Sequence, residues 1–239
     1  MKILAVGTAY NEEKYLPEMV RYYREQGCDI LILDNYSTDG TYQWLLDNEI
    51  KTARVDTMKA FHLDKLQRAM EAEIEKYDPD WVVYVGIDIY YSFDKTIRET
   101  IEWVDKIGHN IIQVNNWSMY NTGEERDGLA KDTYFYGTQG RGLRMIAKYK
   151  KPFRLCADEI LIPGPSVFYE NGILVNYGNT KPKEEREETF ARRKRAWDMG
   201  LTKGWGIHYP VGSARNWIWD KKELTDVMTT HFSKYFLKL

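Results

Sequence analysis

The sequence contains little cysteine and no long apolar run, and each shortage excludes a class of protein. Its two cysteines, Cys28 and Cys156, cannot build the disulfide framework of a small secreted domain, and they lack the spacing of a zinc site. No apolar run approaches the roughly 20 residues of a membrane-spanning helix. The first residues, MKILAVGTAYNEE, lack the cleavage site of a signal peptide. We therefore expect a cytoplasmic protein without a transmembrane segment.

An excess of charge of one sign is also missing, because 34 Lys and Arg stand against 36 Asp and Glu, for a formal net charge of −2. Such a chain does not hold nucleic acid by bulk charge. One stretch, Arg141 to Arg154, carries basic residues and no acidic ones. It leaves open the binding of a pyrophosphate, an anionic acceptor or nucleic acid, although basic runs are usually solvated surface. The 8 Trp and 18 Tyr exceed what a core needs and favour a binding groove.

The first half of the chain alternates between apolar runs and segments with helical spacing. Asn11 is available to cap the first helix, and Pro17 suits its first turn. Runs that are apolar on both faces are typical of parallel strands covered on both sides. This alternation predicts an α/β fold with a mostly parallel central sheet flanked by helices. The predicted strands are Lys2–Gly7, Asp29–Asp34, Thr52–Val55, Trp81–Asp88 and Asn110–Trp117.

The second half of the chain has a different pattern. Residues 118–165 are rich in Tyr, Gly, Lys and Arg with little periodicity, which predicts long loops and short antiparallel strands. Gly172–Tyr177 is a predicted late strand. Lys183–Met199 is a predicted helix whose alternating Arg and Glu residues we interpret as a structural face. Without a linker or a repeat, the chain is predicted to form one domain with an irregular, aromatic- and basic-rich C-terminal half.

Polar residues cluster where three predicted strands end: Thr8–Glu12, Asp34–Thr41 and Asp88. In an open α/β sheet, ligands bind beyond the carboxyl ends of the strands. Carboxylates there accept hydrogen bonds from ribose hydroxyls or a base N–H, and the ring of Tyr10 can pack on a base. These clusters predict a nucleotide site. The alternative for DNYSTDGT is a turn that only caps a helix.

Three segments, AYNEEKYLPEMVRYYREQ, ILILDNYSTDGT and PDWVVYVGID, resemble the glycosyltransferase family 2 enzymes, whose nucleotide-sugar-binding domain has the GT-A (Rossmann-like) fold. The resemblance covers roughly the first half of the chain. It implies a single GT-A domain over residues 1–239, with a nucleotide-sugar-binding half (1–117) and an acceptor-binding half (118–239). The implied reaction moves a sugar, with inversion, from a nucleoside diphosphate to a hydroxyl. The acceptor is a glycan, a lipid-linked molecule or another one, including an anionic or membrane-associated acceptor.

The resemblance also implies roles for individual residues. It places Tyr10 and Glu12 near the base, Asp34 at the nucleoside and Asp88 beside the donor diphosphate. Polar neighbours of these positions and one residue of the third helix complete the predicted nucleotide-sugar-binding set: Thr8, Asn35, Asp39 and Gln67.

The metal motif of the family, Asp-any-Asp, is incomplete in this chain. Gly86-Ile87-Asp88 stands at the corresponding position, so only Asp88 remains as a ligand. The family often contributes a late-strand His, but the chain has Asn176 there, and His208 is our substitute ligand. We expect Mn²⁺ or Mg²⁺, because a divalent cation stabilises a leaving diphosphate. Charge stabilisation without a metal is the alternative, as is a His208 that merely packs among aromatic residues.

An inverting transfer needs a carboxylate that takes the proton of the acceptor hydroxyl. The acidic pair Asp158-Glu159 is the best placed in the sequence, with Asp158 preferred as the base and Glu159 as the second candidate; a loop-edge acid without a role is the alternative. Because a metal carboxylate and the usual His are missing, a nucleotide-sugar-binding protein without turnover stays open as a second class. A glycosyltransferase acting on nucleic acid is the third.

Overall fold

The computed structural model describes residues 1–120, 136–156, 159–179, 181–201 and 225–226. Within these residues the chain forms five helices and eleven strands. The helices are α1 Leu16–Glu25, α2 Thr41–Asp47, α3 Leu63–Tyr77, α4 Ile97–Lys106 and α5 Lys183–Asp198. The strands are β1 Ile3–Ala9, β2 Asp29–Asp34, β3 Lys51–Arg54, β4 Trp81–Tyr84, β5 Ile89–Phe93, β6 Ile111–Tyr120, β7 Tyr136–Lys148, β8 Arg154–Cys156, β9 Glu159–Leu161, β10 Ser166–Asn179 and β11 Thr225–Asp226.

One large sheet organises the molecule, in the strand order β3-β2-β1-β4-β7-β6-β10-β5, with β11 paired to β7. Strands β1 to β4 are mutually parallel, and β6 and β10 run in the same direction on the far side of the antiparallel β7. The carboxyl ends of β1, β2, β4, β6 and β10 therefore lie at one edge of the sheet. Strands β8 and β9 form a separate hairpin.

Both faces of the sheet are buried, as the sequence predicts for its parallel strands. On β1, Ile3 and Ala5 belong to one apolar cluster, which packs against α1, α2 and α4. Leu4 and Val6 belong to the other cluster, which packs against α3 and the β8–β9 hairpin. Because side chains alternate along a strand, one short apolar run supplies both cores. No helix among the described residues is long and apolar enough to cross a membrane.

Three local predictions are wrong, and one strand is missing from the prediction. Helix α1 begins at Leu16, with Tyr15 at the N-cap position and no side-chain cap, while Asn11 Oδ1 accepts the N–H of Thr38 at 2.8 Å. Strand β4 ends at Tyr84, well before Asp88, and β5 follows as a strand that the sequence analysis did not predict. Part of the segment assigned to loops and short strands forms the long β7, which lies between β4 and β6. Its pairing with distant strands overrides its weak periodicity.

Candidate active site

A cleft of about 260 Å³ opens beyond the carboxyl ends of the strands. Its floor is the β1 end, the β4–β5 connection and the ends of β6 and β10, and its roof is helix α5. Five residues of the predicted nucleotide-sugar-binding set line it together: Thr8, Tyr10, Glu12, Asn35 and Asp88. The three polar clusters that the sequence predicts, represented here by Glu12, Asn35 and Asp88, therefore meet in one cleft.

Three other members of the predicted set do not line the cleft. Asp34 is completely buried beneath it, Asp39 is exposed, and Gln67 is buried in α3. The carboxylate of Asp34 accepts hydrogen bonds from Ser37 N at 3.1 Å and Arg54 Nε at 2.8 Å. Its bonds thus hold a loop and a neighbouring strand in place. The nucleoside role that the family implies for Asp34 stays a prediction.

The loop after β2 positions the loop after β1 through side-chain acceptors. Ser37 Oγ accepts Asn11 N at 3.0 Å, and Thr41 Oγ1 accepts Glu12 N at 2.8 Å. Asp39 Oδ1 accepts Thr41 N at 3.0 Å at the start of α2. Within DNYSTDGT, Asp39 therefore has the role of a turn residue at the start of α2, which is the alternative interpretation. Ser37 and Thr41 instead orient the loop that carries Glu12 into the cleft.

Asp88 lies in the turn between β4 and β5, where two glycines leave room for its carboxylate. A Cβ at Gly86 would lie 3.0 Å from Asp88 Oδ1, and a Cβ at Gly178 would lie 2.8 Å from Oδ2. The N–H of Tyr177 donates to the Asp88 carbonyl at 2.8 Å. Asn176 Oδ1 accepts Gly178 N at 2.8 Å. The end of β10 therefore fixes the backbone at Asp88.

Lys181 joins the two carboxylates of the cleft. Its Nζ lies 2.8 Å from each carboxylate oxygen of Glu12 and 3.4 Å from Asp88 Oδ2, and its side chain is 9% exposed. Burial lowers the pKa of Lys181, but the attraction of Glu12 and Asp88 outweighs burial, so the pKa lies above its ordinary value. Burial raises the pKa of Glu12 to about 7 against the opposing charge of Lys181. A charged ammonium is thus enclosed between two acids.

Helix α5 adds three arginines to the cleft, Arg186, Arg192 and Arg193. The guanidinium of Arg192 stacks 3.5 Å from the ring centre of Tyr10, and its carbonyl accepts Phe61 N at 3.1 Å. Burial lowers the pKa of Arg192 to about 10, which leaves it charged at neutral pH. With Lys181, four cationic side chains therefore face two carboxylates in the lining that the structure describes. Such a lining favours an anionic ligand.

The sequence model described as Glycosyl transferase family 2 matches residues 5–161 of this chain. This chain belongs to glycosyltransferase family 2. The strand order and the buried parallel strands confirm the predicted α/β fold of the GT-A type. A search of curated protein sequences gives no match.

Solved structures similar to this family 2 chain include S. aureus TarS 1-349 in complex with UDP-GlcNAc, at 16% identity and a TM-score of 0.41, covering 55% of this chain and 38% of that chain. The same protein in complex with UDP matches at 11% identity and a TM-score of 0.46, covering 87% and 75%. Glucosyl-3-phosphoglycerate synthase from Mycobacterium tuberculosis, in complex with Mn²⁺, UDP and glucosyl-3-phosphoglycerate, matches at 17% identity and a TM-score of 0.32, covering 54% and 48%. The chain thus spans less than half of the TarS chain in the first match. Membership of the family rests on the match to its sequence model.

The cleft of this family 2 member does not fit the divalent cation that the resemblance implies. Oδ2 of Asp88 already faces the ammonium of Lys181, and Gly86 replaces the first metal carboxylate. Within the ranges that the structure describes, no three His, Cys, Asp or Glu side chains converge as a metal centre. Asn176 supplies an amide oxygen that is bonded to Gly178. His208 lies outside the described residues, so its role as a ligand stays a prediction.

The two acids predicted as the catalytic base lie around the start of β9. Asp158 lies outside the described residues, and Glu159 begins β9, which pairs with β8. The next residue, Ile160, packs in the apolar cluster of α3. Glu159 is not among the described residues that line the cleft. The role of either acid stays a prediction.

The basic stretch from Arg141 to Arg154 does not bring its described cations to the cleft. Lys148 pairs with Asp105 at 2.7 Å, Arg154 pairs with Glu71 at 2.8 Å, and Lys151 pairs with Glu75. These pairs lie along α3 and α4. Three cations of this stretch, Lys148, Lys151 and Arg154, are thus paired with carboxylates, as expected for charged surface.

Lys181 and the α5 arginines are the candidate functional residues that the sequence analysis missed. Lys181 follows the end of β10, so it is a fourth strand-end residue at the same edge. Recognising it requires knowing that β10 runs parallel to β6. The sequence correctly predicted that Arg186 and Arg192 lie on a helix. It did not show that these two arginines are buried while Arg195 of the same helix is exposed.

We expect Arg192→Ala to lower the free energy of unfolding by about 2 kcal/mol, because it removes a desolvated cation from the ring of Tyr10. Arg195→Ala is the matched control on the same helix, since Arg195 is exposed and donates to the Lys59 carbonyl at 3.0 Å. The free energy of unfolding of Arg195→Ala is expected to fall by no more than about 0.5 kcal/mol. Urea denaturation of both variants measures the difference. Equal losses would contradict the stacking role of Arg192.

Proposed function

We propose that this protein transfers a sugar from a nucleoside diphosphate donor to a hydroxyl acceptor. The proposal rests on membership of family 2 and on one geometric observation. Three predicted strand ends meet in a cleft where four cations, led by Lys181, face two carboxylates. A donor diphosphate carries several negative charges, and fixed cations stabilise those charges and the charge of the leaving diphosphate.

In the proposed reaction, the acceptor oxygen attacks the anomeric carbon on the face opposite the nucleotide. The new carbon–oxygen bond forms as the bond to the diphosphate oxygen breaks, so the configuration inverts. The electron pair of the broken bond leaves with the nucleoside diphosphate. The proton of the acceptor hydroxyl goes to a carboxylate that acts as general base.

Within the cleft we assign Tyr10 to the nucleobase, Asp88 to the side of the diphosphate and sugar, and Lys181 with the α5 arginines to the phosphates. Glu12 fixes Lys181 through two 2.8 Å contacts. The acceptor, whether a glycan, a lipid-linked molecule or another one, is expected to approach from the side of residues 118–239. A cytoplasmic location stays a prediction from the sequence.

The first experiment is a panel of nucleotide sugars, scored by thermal stabilisation and by release of nucleoside diphosphate. A ligand that binds only the native state raises the melting temperature, by an amount that grows with its concentration over Kd. Stabilisation together with slow donor hydrolysis supports a transferase. Stabilisation without any release of diphosphate, even with acceptors present, would favour the non-catalytic alternative. Salt-sensitive retention of nucleic acid would favour the third class.

Asp158→Asn tests the assignment of the base. Because a general base contributes about 10²- to 10⁴-fold, we expect kcat of transfer to fall within that range, while donor affinity stays unchanged. Glu159→Gln is the neighbouring control and is expected to retain most of the activity. Discontinuous assays of transfer and calorimetry of donor binding give the two readouts. Full activity of the Asp158→Asn variant would move the base elsewhere.

A further inference from the structure

Lys181 is the cation that balances the negative charge of the two carboxylates in the cleft. Its ammonium lies between Glu12 and Asp88, at the point where a cation would connect the loop after β1 to the loop after β4. The residue is 7% exposed, so this cation is enclosed by the protein. Lys181 lies between the end of β10 and the N-cap of α5, Pro182, and is thereby anchored to the sheet.

The carboxylate of Asp88 already faces one cation, because its Oδ2 lies 3.4 Å from the ammonium of Lys181. A divalent ion on this carboxylate would lie close to a positive charge, which is unfavourable in a partly desolvated site. A second carboxylate at position 86, which would offset that cost, is replaced by glycine.

We propose that Lys181 is a built-in cation that binds the donor diphosphate in place of a divalent metal, so that this chain binds nucleoside diphosphates without metal. This inference rests on the proposed function. The ammonium has three N–H donors, two of which Glu12 accepts, and a diphosphate oxygen entering the cleft shares the third with Asp88. Arg186 and Arg192, which line the same cleft, add positive charge around the phosphates.

The test is isothermal titration calorimetry with UDP, GDP and ADP, each in buffer with EDTA and in buffer with Mn²⁺. We expect one of these diphosphates to bind equally well in both buffers. In the Lys181→Met variant, its affinity in EDTA is expected to fall by about 30-fold or more, the usual result of removing one partner of a buried charge pair. Lys181→Arg keeps the charge and is expected to retain part of the affinity.

Lys148→Met is the matched control, because Lys148 also pairs with an aspartate, at 2.7 Å from Asp105, outside the cleft. It is expected to bind as the wild type does. Thermal melts establish that each variant is folded. Lys181→Met leaves two acids without their cation and is therefore replaced, where it does not fold, by the double variant Glu12→Gln/Lys181→Met. The double variant keeps the net charge of the cluster, and Glu12→Gln alone is its reference.

The outcomes distinguish a failure of the built-in cation from a failure of the proposed function. Binding that requires Mn²⁺ overturns the built-in cation and leaves the proposed function intact. Metal-free binding that Lys181→Met does not weaken also overturns it, because another group then holds the phosphates. Failure of every nucleoside diphosphate and nucleotide sugar to bind in either buffer overturns the proposed function itself.

Discussion

Asp88→Ala is expected to lower the rate of sugar transfer by about 10²- to 10³-fold, the range seen when one preorganised electrostatic group is removed from an active site. The carboxylate of Asp88 lies 3.4 Å from Lys181 and is the acid of the β4–β5 turn that lines the cleft. Without it, Lys181 keeps only Glu12 as a partner and moves away from the diphosphate. The measurement is kcat and KM for transfer with the best donor.

The same substitution is expected to leave the fold intact. Asp88 lies in a turn and its side chain is 24% exposed, so the change in the free energy of unfolding should be about 1 kcal/mol, or roughly 2–4 °C in Tm. Asp105→Ala is the control, since Asp105 also pairs with a lysine, Lys148, but outside the cleft. Asp105→Ala should match the stability change without loss of activity. An active Asp88→Ala enzyme would contradict the placement of the diphosphate.

Asp34→Ala is expected to lower the free energy of unfolding by about 3 kcal/mol, because it leaves two groups without their buried acceptor. The carboxylate is fully buried and bonds both Ser37 N and Arg54 Nε. The guanidinium of Arg54 in turn stacks 4.3 Å from the ring of Tyr36 and 4.5 Å from that of Tyr42. Loss of Asp34 therefore loosens the loop that positions Glu12.

Asp47→Ala is the control for this loss, since the carboxylate of Asp47 is exposed and accepts Gln43 Nε2 at 2.7 Å, within α2. Asp47→Ala should lower the free energy of unfolding by no more than about 0.5 kcal/mol. Urea denaturation gives the stability, and calorimetry with nucleoside diphosphates gives the affinity of folded protein. A fully stable Asp34→Ala variant would contradict the anchoring role. Unchanged affinity in that variant would contradict the nucleoside role that the family implies.

The sequence by itself determined the elements whose signals are local. The apolar spacing of Leu66, Met70 and Ile74 indicates the buried face of α3, and Pro79 disfavours helical backbone at Asp78, where the helix ends. The runs that became β1 and β2 are buried on both faces, so their composition identifies parallel strands. The polar ends of those strands then predict the edge where a ligand binds.

Only the tertiary structure decided which distant residues meet at that edge. Lys181 reaches Glu12 across 169 positions, because β10 runs parallel to β6. The long β7 and the short β5 are strands through pairing with partners far along the chain. Periodicity and turn chemistry are properties of neighbouring residues, whereas strand pairing and the position of a buried charge depend on the whole sheet. For that reason the sequence predicted the carboxylates of the cleft, and the structure supplied the lysine between them.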